Sequence, residues 1–148
     1  LRISIEEKNR LKKLLLNEIS VSGRMERKIG PKNTTLIDDT YNANPDSFLA
    51  AFKEISNLDF NNKICVMGKM EELGESSTKL HDMIIKEALK YFDHIFCVDI
   101  FSKISDKKIK HISKNKVKKN IKHFFNEDTL ILFKASRSVK METVFKDI

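Results

Sequence analysis

The chain has 148 residues, and its 41% hydrophobic and 33% charged residues exclude a disordered protein. The length suits one domain. No apolar run approaches the roughly 20 residues of a membrane span, and there is no signal peptide, so we expect a cytoplasmic protein without a membrane partner. Because the chain begins at Leu1 rather than Met, we expect a piece of a longer protein.

The positive charge is concentrated in one segment. Nine lysines lie between residues 103 and 123 and contribute strongly to the net charge of +7. They are interleaved with apolar residues such as Ile109, Val117 and Ile121, and the segment lacks arginine, the cation that nucleic-acid sites favour. We therefore expect a solvated face and no nucleic-acid partner. A non-catalytic, lysine-rich binding module is the alternative.

Common signatures of cofactor and metal sites are missing. The chain has no dinucleotide-binding G-x-G-x-x-G, no phosphate-binding G-x-x-x-x-G-K-[ST], and no H-E-x-x-H or G-x-S-x-G motif. Cys65 and Cys97 lie inside apolar runs without a second ligand at metal-binding spacing. We expect both to be reduced, buried thiols, and we expect no metal site.

Hydrophobic periodicity predicts helices and strands along the whole chain. The first helix, over residues 1–19, begins with a Ser4-x-x-Glu7 capping box and has an apolar stripe of Leu11, Leu14, Leu15 and Ile19. The later elements are a short strand ending at Ile29, strands at 34–38, 63–67, 94–98, 110–112 and 129–133, and helices at 45–57, 77–92, 117–125 and 139–148.

From residue 34 onward, apolar strands alternate with amphipathic helices. The predicted fold class is therefore α/β, with a Rossmann-like, mainly parallel open sheet and helices on both faces. Ligands of such sheets bind at the carboxyl ends of the strands. Polar residues follow the predicted strands at 38–39, 68–69, 99 and 134–137, so we expect them to share one edge of the sheet.

The segment from Asp38 to Ser47 is the main candidate for a ligand-binding loop. Asn44 is predicted to cap the following helix, and Pro45 to be its first residue, where the missing N–H costs nothing. Neighbouring side chains on a strand face opposite sides. We therefore expect one of Asp38 and Asp39 to bind ribose hydroxyls and the other to be structural.

Other polar residues suggest anion binding beside this loop. Arg24 follows a glycine, and its planar guanidinium suits phosphate oxygens. Residues 134–137 combine two cations, a hydroxyl and a predicted helix start, which together favour a carboxylate or phosphate. The acidic loop at 68–75 matches no metal-binding spacing, and His81 beside it is interpreted as structural.

Four segments, taken together, resemble a known family. They are Ser-Gly-Arg-Met-Glu at 22–26, Ile-Asp-Asp-Thr-Tyr-Asn-Ala-Asn-Pro-Asp-Ser at 37–47, Val-Met-Gly-Lys-Met-Glu-Glu-Leu-Gly-Glu at 66–75, and Lys-Ala-Ser-Arg-Ser-Val-Lys-Met-Glu at 134–142. In order and spacing, residues 20–148 resemble the C-terminal domain of the Mur ligase family, within it the ligases that add D-Ala-D-Ala. Residues 1–19 are then expected to be the tail of, or the linker from, a central ATPase domain.

The resemblance implies an ATP-dependent ligase of peptidoglycan synthesis. Such ligases join D-Ala-D-Ala to a UDP-MurNAc-peptide through an acyl phosphate, and their C-terminal domain closes over ATP and the amino substrate. It implies that Mg²⁺ ligands and catalytic residues lie in the other two domains. It also implies a monomer, and a fragment that is inactive alone. Another Mur or folylpolyglutamate-type ligase is the alternative.

The resemblance also implies roles for single residues. Arg24 is expected to reach the ATP phosphates and Asp39 the ribose hydroxyls, with the nucleotide loop completed by Tyr41, Asn42, Asn44 and Pro45. The dipeptide or acyl-phosphate end is assigned to Lys134, Ser136 and Arg137. Three positions depart from the family pattern: Lys69 replaces an aspartate, and Asp99 and Ala135 replace glycines.

Overall fold

The computed structural model of the protein describes residues 4–16 and 23–148, with side chains for residues 4–10 and 23–148. The helices of these ranges are α1 (Ile5–Leu16), α2 (Pro45–Ser56), α3 (Ser77–Ala88), α4 (Val117–Ile121) and α5 (Glu142–Lys146). The strands are β1 (Glu26–Ile29), β2 (Thr35–Asp39), β3 (Asn62–Gly68), β4 (His94–Val98), β5 (Ile109–Ile112) and β6 (Thr129–Lys134).

The strands form one sheet with the order β1-β2-β6-β3-β4-β5. Strand β1 runs antiparallel to β2, and the other neighbouring strands are parallel. Strand β6, the last in the chain, lies between β2 and β3, so that Leu132 is the register partner of both Ile37 and Cys65. The predicted α/β fold with a mainly parallel open sheet is confirmed.

Helices cover both faces of this sheet because alternate strand residues point to opposite sides. On one face α2 and α3 bury an aromatic cluster, in which the Phe52 ring lies 5.7 Å from that of Phe48 and 5.2 Å from that of Phe92. On the other face α4 and α5 supply buried residues such as Val117 and Phe145. The two cysteines are buried on the first face, as predicted.

The first helix has the predicted capping box. The Glu7 N–H donates to Ser4 Oγ at 3.1 Å, and the Ser4 N–H donates to Glu7 Oε2 at 3.0 Å. The predicted stripe of Leu11, Leu14 and Leu15 lies outside the described side chains. Ile19 and the predicted domain boundary after residue 19 lie outside the described residues.

The prediction for the terminal helix was wrong at its start. Residues Arg137–Val139 form a short 3-10 turn, and Lys140 adopts the left-handed conformation with φ 52°. A left-handed residue interrupts a right-handed helix. The helix α5 therefore begins only at Glu142 rather than at residue 139.

The lysine-rich segment forms α4 and the adjoining loops and strand β5. Val117 and Ile121 are buried in the core. Most of the lysines between residues 103 and 123 are exposed, as expected for a solvated face. No helix in the described ranges is long and apolar enough to cross a membrane.

Candidate functional site

Polar residues next to β1, β2, β3 and β6 lie at one edge of the sheet, which is formed by the carboxyl ends of the parallel strands. Strands β2, β6 and β3 are neighbours, so their carboxyl ends lie side by side. Because β1 is antiparallel, its amino end also reaches this edge, and the Gly23 carbonyl accepts the N–H of Tyr41 at 2.8 Å. The Lys69 carbonyl accepts the N–H of Ser136 at 3.0 Å. The predicted convergence at one edge is confirmed for residues 38–39, 68–69 and 134–137.

The two adjacent carboxylates at the end of β2 have different surroundings. Asp38 is buried, and its Oδ1 accepts the N–H of Thr40 at 3.1 Å and the hydroxyl of Thr40 at 2.5 Å. Burial raises the pKa of the Asp38 carboxyl, an effect larger than the opposing hydrogen bonds from Thr40. Asp38 thus shapes the turn that follows β2.

Asp39 faces a cavity of about 300 Å³. Its Oδ1 accepts the N–H of Met25 at 3.2 Å, and its Oδ2 accepts from the Lys134 ammonium at 2.6 Å. The Asp39 side chain keeps 13% of its surface exposed. Of the two acids, Asp39 is therefore the one that can receive hydrogen bonds from a ligand.

Two arginines contact the ring of Tyr41, which lines this cavity. The guanidinium carbon of Arg24 lies 4.3 Å from the ring centre, and that of Arg137 lies 5.1 Å away. The geometry is that of cation–π contacts, which orient a guanidinium without neutralising it. Both arginines are exposed, but only Arg24 lines this cavity.

The turn after Tyr41 starts helix α2 as predicted. Asn44 Oδ1 accepts the N–H of Ser47 at 2.8 Å, and the N–H of Asn44 donates to Ser47 Oγ at 3.0 Å. Pro45 is the first helical residue. Asn42 Oδ1 accepts the N–H of Ala43 at 2.8 Å. These residues thus fix the loop itself, and their contact with a nucleotide remains a prediction.

The residues at 134–137 line two different cavities. Lys134 lines the cavity next to Asp39, whereas Ser136 and Arg137 line a second cavity of about 530 Å³. Ser136 Oγ donates to the Ala43 carbonyl at 3.3 Å and caps no helix. A short 3-10 turn begins at Arg137, and the α-helix α5 begins only at Glu142.

The loop after β3 forms the other wall of the second cavity and was not assigned a role from the sequence. The N–H of Glu71 donates to Ser136 Oγ at 2.9 Å, and Glu71 Oε1 accepts from Ser138 Oγ at 2.9 Å. That hydrogen bond, with Lys69 3.3 Å away, lowers the pKa of the Glu71 carboxyl. The signal in the sequence was the position of Glu71 just past a strand end.

His81 anchors this loop, which confirms its structural interpretation. The ring is buried, with Nε2 accepting the N–H of Met70 at 2.8 Å and Nδ1 lying 2.7 Å from the Ser77 carbonyl. Because a carbonyl only accepts and a backbone N–H only donates, the hydrogen-bonding pattern selects the neutral ring protonated on Nδ1.

The donor set of the first cavity fits part of a nucleotide. Asp39 offers carboxylate oxygens to hydroxyl groups, and Arg24 offers a guanidinium to phosphate oxygens. Within residues 4–10 and 23–148, no group of three or more His, Cys, Asp or Glu could hold a metal ion.

Two known sequences are similar to this chain over most of its length. The UDP-N-acetylmuramoyl-tripeptide–D-alanyl-D-alanine ligase of Buchnera aphidicola (subsp. Acyrthosiphon pisum) is 40% identical over 143 residues, which are 90% of this chain and 31% of the relative. The same ligase of Bacillus subtilis is 33% identical over 150 residues, with 90% and 32% coverage. The chain thus spans about a third of the length of these relatives.

Solved structures of MurF ligases are also similar to this chain. The MurF ligase of Thermotoga maritima, in complex with ADP, has a TM-score of 0.74 and 28% identity over 95% of this chain and 35% of that one. MurF of Acinetobacter baumannii has a TM-score of 0.75 and 28% identity, with 98% and 34% coverage. The family model described as "Mur ligase, glutamate ligase domain" matches residues 23–144. The chain therefore belongs to the Mur ligase family and contains its glutamate ligase domain.

Proposed function

We propose that the chain is the C-terminal domain of an ATP-dependent ligase that joins D-Ala-D-Ala to a UDP-MurNAc-peptide in peptidoglycan synthesis. The main support is the convergence of Arg24, Asp39, Tyr41 and Arg137, from three separate segments, on one edge of the sheet. The names of the relatives support the same reaction.

The first cavity is the nucleotide end of the proposed site. Asp39 accepts the ribose hydroxyls, and Arg24 pairs with phosphate oxygens when the domain closes. The loop of Tyr41, Asn42, Asn44 and Pro45 borders the nucleotide. Its hydrogen bonds hold it in one conformation before the ligand arrives, which lowers the entropic cost of binding.

The second cavity is the amino-substrate end. Arg137 is the exposed cation there, and it suits the carboxylate of D-Ala-D-Ala or the oxygens of an acyl phosphate. Ser136 holds the surrounding backbone through the Ala43 carbonyl and the Glu71 N–H. Lys134, which the family resemblance assigns to this end, lines the nucleotide cavity instead.

The remaining parts of the reaction belong to other domains of the proposed enzyme. Those domains hold the UDP-sugar, the Mg²⁺ ligands and the groups that act on the reacting carboxylate. We infer that this domain closes over ATP and the amine, which excludes water from the reaction. We place the full-length protein in the cytoplasm as a monomer.

Steady-state kinetics of the full-length enzyme test the nucleotide assignment. Arg24→Ala and Asp39→Asn are each expected to lower kcat/KM for ATP about 10- to 100-fold, because each removes a charged contact to the nucleotide. Asp59→Asn is the matched control. Asp59 is an exposed acid in the turn before β3, at the end of β3 that lies away from the proposed site. Unchanged ATP kinetics in both site variants would contradict the assignment.

An amino-substrate screen tests the reaction itself. The full-length enzyme, given ATP and UDP-MurNAc-peptide, is expected to ligate D-Ala-D-Ala in preference to single amino acids or glutamate. Ligation of a different amino substrate would replace this proposal with another Mur or folylpolyglutamate-type activity. Salt-dependent binding to nucleic acid with no ligation would favour the lysine-rich binding module.

A further inference from the structure

Lys134 ends β6 with a side chain that is almost completely buried. The residue is 1% exposed. Lys134 is the register partner of Asp39 on the adjacent parallel strand, so both side chains point to the same face of the sheet. Its ammonium nitrogen lies 5.3 Å from the ring centre of Phe48. Ligands at the edge of the sheet therefore meet other side chains before they meet this ammonium.

The ammonium of Lys134 already has protein partners. It donates to Asp39 Oδ2 at 2.6 Å and to the carbonyl of Asn42 at 3.1 Å. On its other side, the Asp39 carboxylate accepts the N–H of Met25 at 3.2 Å. The carboxylate is therefore held from two directions. The Lys134 ammonium also fixes the loop that carries Tyr41, through the carbonyl of Asn42.

We propose that Lys134 is a positioning residue that acts through Asp39 and does not contact the substrate. It keeps the Asp39 carboxylate aimed into the nucleotide cavity, and it holds the backbone of Asn42 beside it. The proposal rests on the proposed function, since it assumes that Asp39 receives the ribose hydroxyls.

The test uses the full-length enzyme and Lys134→Met, which keeps the length of the side chain without its charge. We expect KM for ATP to rise about tenfold or more, and KM for D-Ala-D-Ala to stay within about twofold. Lys86→Met, an exposed lysine on α3, is the matched control. A protein that is only less stable would keep the wild-type KM values in its folded fraction. An unchanged KM for ATP in Lys134→Met overturns the proposal.

A charge-balanced pair of variants tests the proposal even if Lys134→Met does not fold. Asp39→Asn and the double variant Asp39→Asn with Lys134→Met can be compared, because the double variant leaves neither charge of the buried pair without its partner. If Lys134 acts through Asp39, the two should agree within about twofold in KM for ATP and for D-Ala-D-Ala.

The outcomes separate the proposal from the function on which it rests. A further rise in KM for D-Ala-D-Ala in the double variant would show direct contact of Lys134 with the amino substrate and overturn the positioning role. If Asp39→Asn itself leaves KM for ATP unchanged, the nucleotide assignment of Asp39 fails, and the positioning role fails with it.

Discussion

At the scale of single residues, adjacent carboxylates serve different purposes because the strand turns them to opposite sides. Asp39 has the Lys134 ammonium at 2.6 Å, whereas Asp38 accepts hydrogen bonds from Thr40 and lies in the field of Glu26 and Glu142. Burial is the largest influence on Asp38 and raises the pKa of its carboxyl. The charged form of Asp38 therefore opposes folding.

Asp38→Asn is expected to stabilise the folded chain at neutral pH. The native pKa is raised, so the contribution of Asp38 to stability is fully present below the ordinary value of 3.8 and is lost as pH rises through the raised value. Asparagine keeps an Oδ1 acceptor for both donors of Thr40. Urea unfolding across a pH series should show the advantage of the variant shrinking at acid pH. Equal stability at every pH would contradict the expectation.

Distance along the chain explains which features of the site could be predicted from the sequence. The cap of Asn44 and the opposite sides of Asp38 and Asp39 could be predicted because they depend on near neighbours. The burial of Lys134 could not, because its partner Asp39 lies 95 residues away in the chain. Asp99, at a position where the family resemblance implies glycine, has φ 51°, a conformation that glycine adopts without strain.

At the scale of elements, the N-terminus of α2 joins a structural cap to the proposed nucleotide loop. Asn44→Ala is expected to destabilise the chain by about 1 kcal/mol, because it removes the acceptor for the Ser47 N–H. Asn44→Asp keeps that acceptor and adds a negative charge that the helix N-terminus favours. Urea unfolding should therefore rank alanine below aspartate. An alanine variant as stable as wild type would contradict the capping role.

The Asn44 variants also separate two roles in the full-length enzyme. If Asn44 contacts the nucleotide, Asn44→Asp should raise KM for ATP even though stability is kept, because a second carboxylate repels the phosphates. If Asn44 acts only as a cap, Asn44→Asp should keep both the stability and the KM for ATP of the wild type.

Gly68 lets the ends of β3 and β6 approach closely. A Cβ at this position would lie 2.6 Å from the Cβ of Ala135 and 3.1 Å from Cε of Met141. Gly68→Ala is expected to destabilise the chain by about 1–3 kcal/mol through overpacking. Adding Ala135→Gly should restore part of the loss. Additive effects in this double-mutant cycle, measured by urea unfolding, would exclude the proposed clash.

The signal of each element decided how well it could be predicted. Strands β3, β4 and β6 are continuous apolar runs, and their bounds were predicted within one residue. Strand β5 is a half-exposed edge in which Lys110 and His111 are exposed, so its pattern was weak. Helix α5 starts late because Lys140 adopts a left-handed conformation. This could not be predicted, because the residue at this position is not a glycine.

At the scale of the whole molecule, the proposed nucleotide site is expected to be only part of an active centre. The sequence has no G-x-x-x-x-G-K-[ST] loop, and the described residues have no group of three or more His, Cys, Asp or Glu that could hold a metal ion. The purified 148-residue chain is therefore expected to release no phosphate from ATP above background, with or without D-Ala-D-Ala. Full-length enzyme in the same assay is the positive control. Measurable turnover by the chain alone would refute this division of roles.

The position of β6 has a consequence for synthesis on the ribosome. Strands β2 and β3 leave the exit tunnel before β6, but they do not pair with each other, because β6 lies between them. Until residues 129–134 emerge, the sheet exists only as separate pieces. Such long-range pairing makes folding slow. Asp39 and Lys134 therefore meet only after residue 134 has emerged, so a nascent chain cannot assemble the proposed nucleotide cavity before that point.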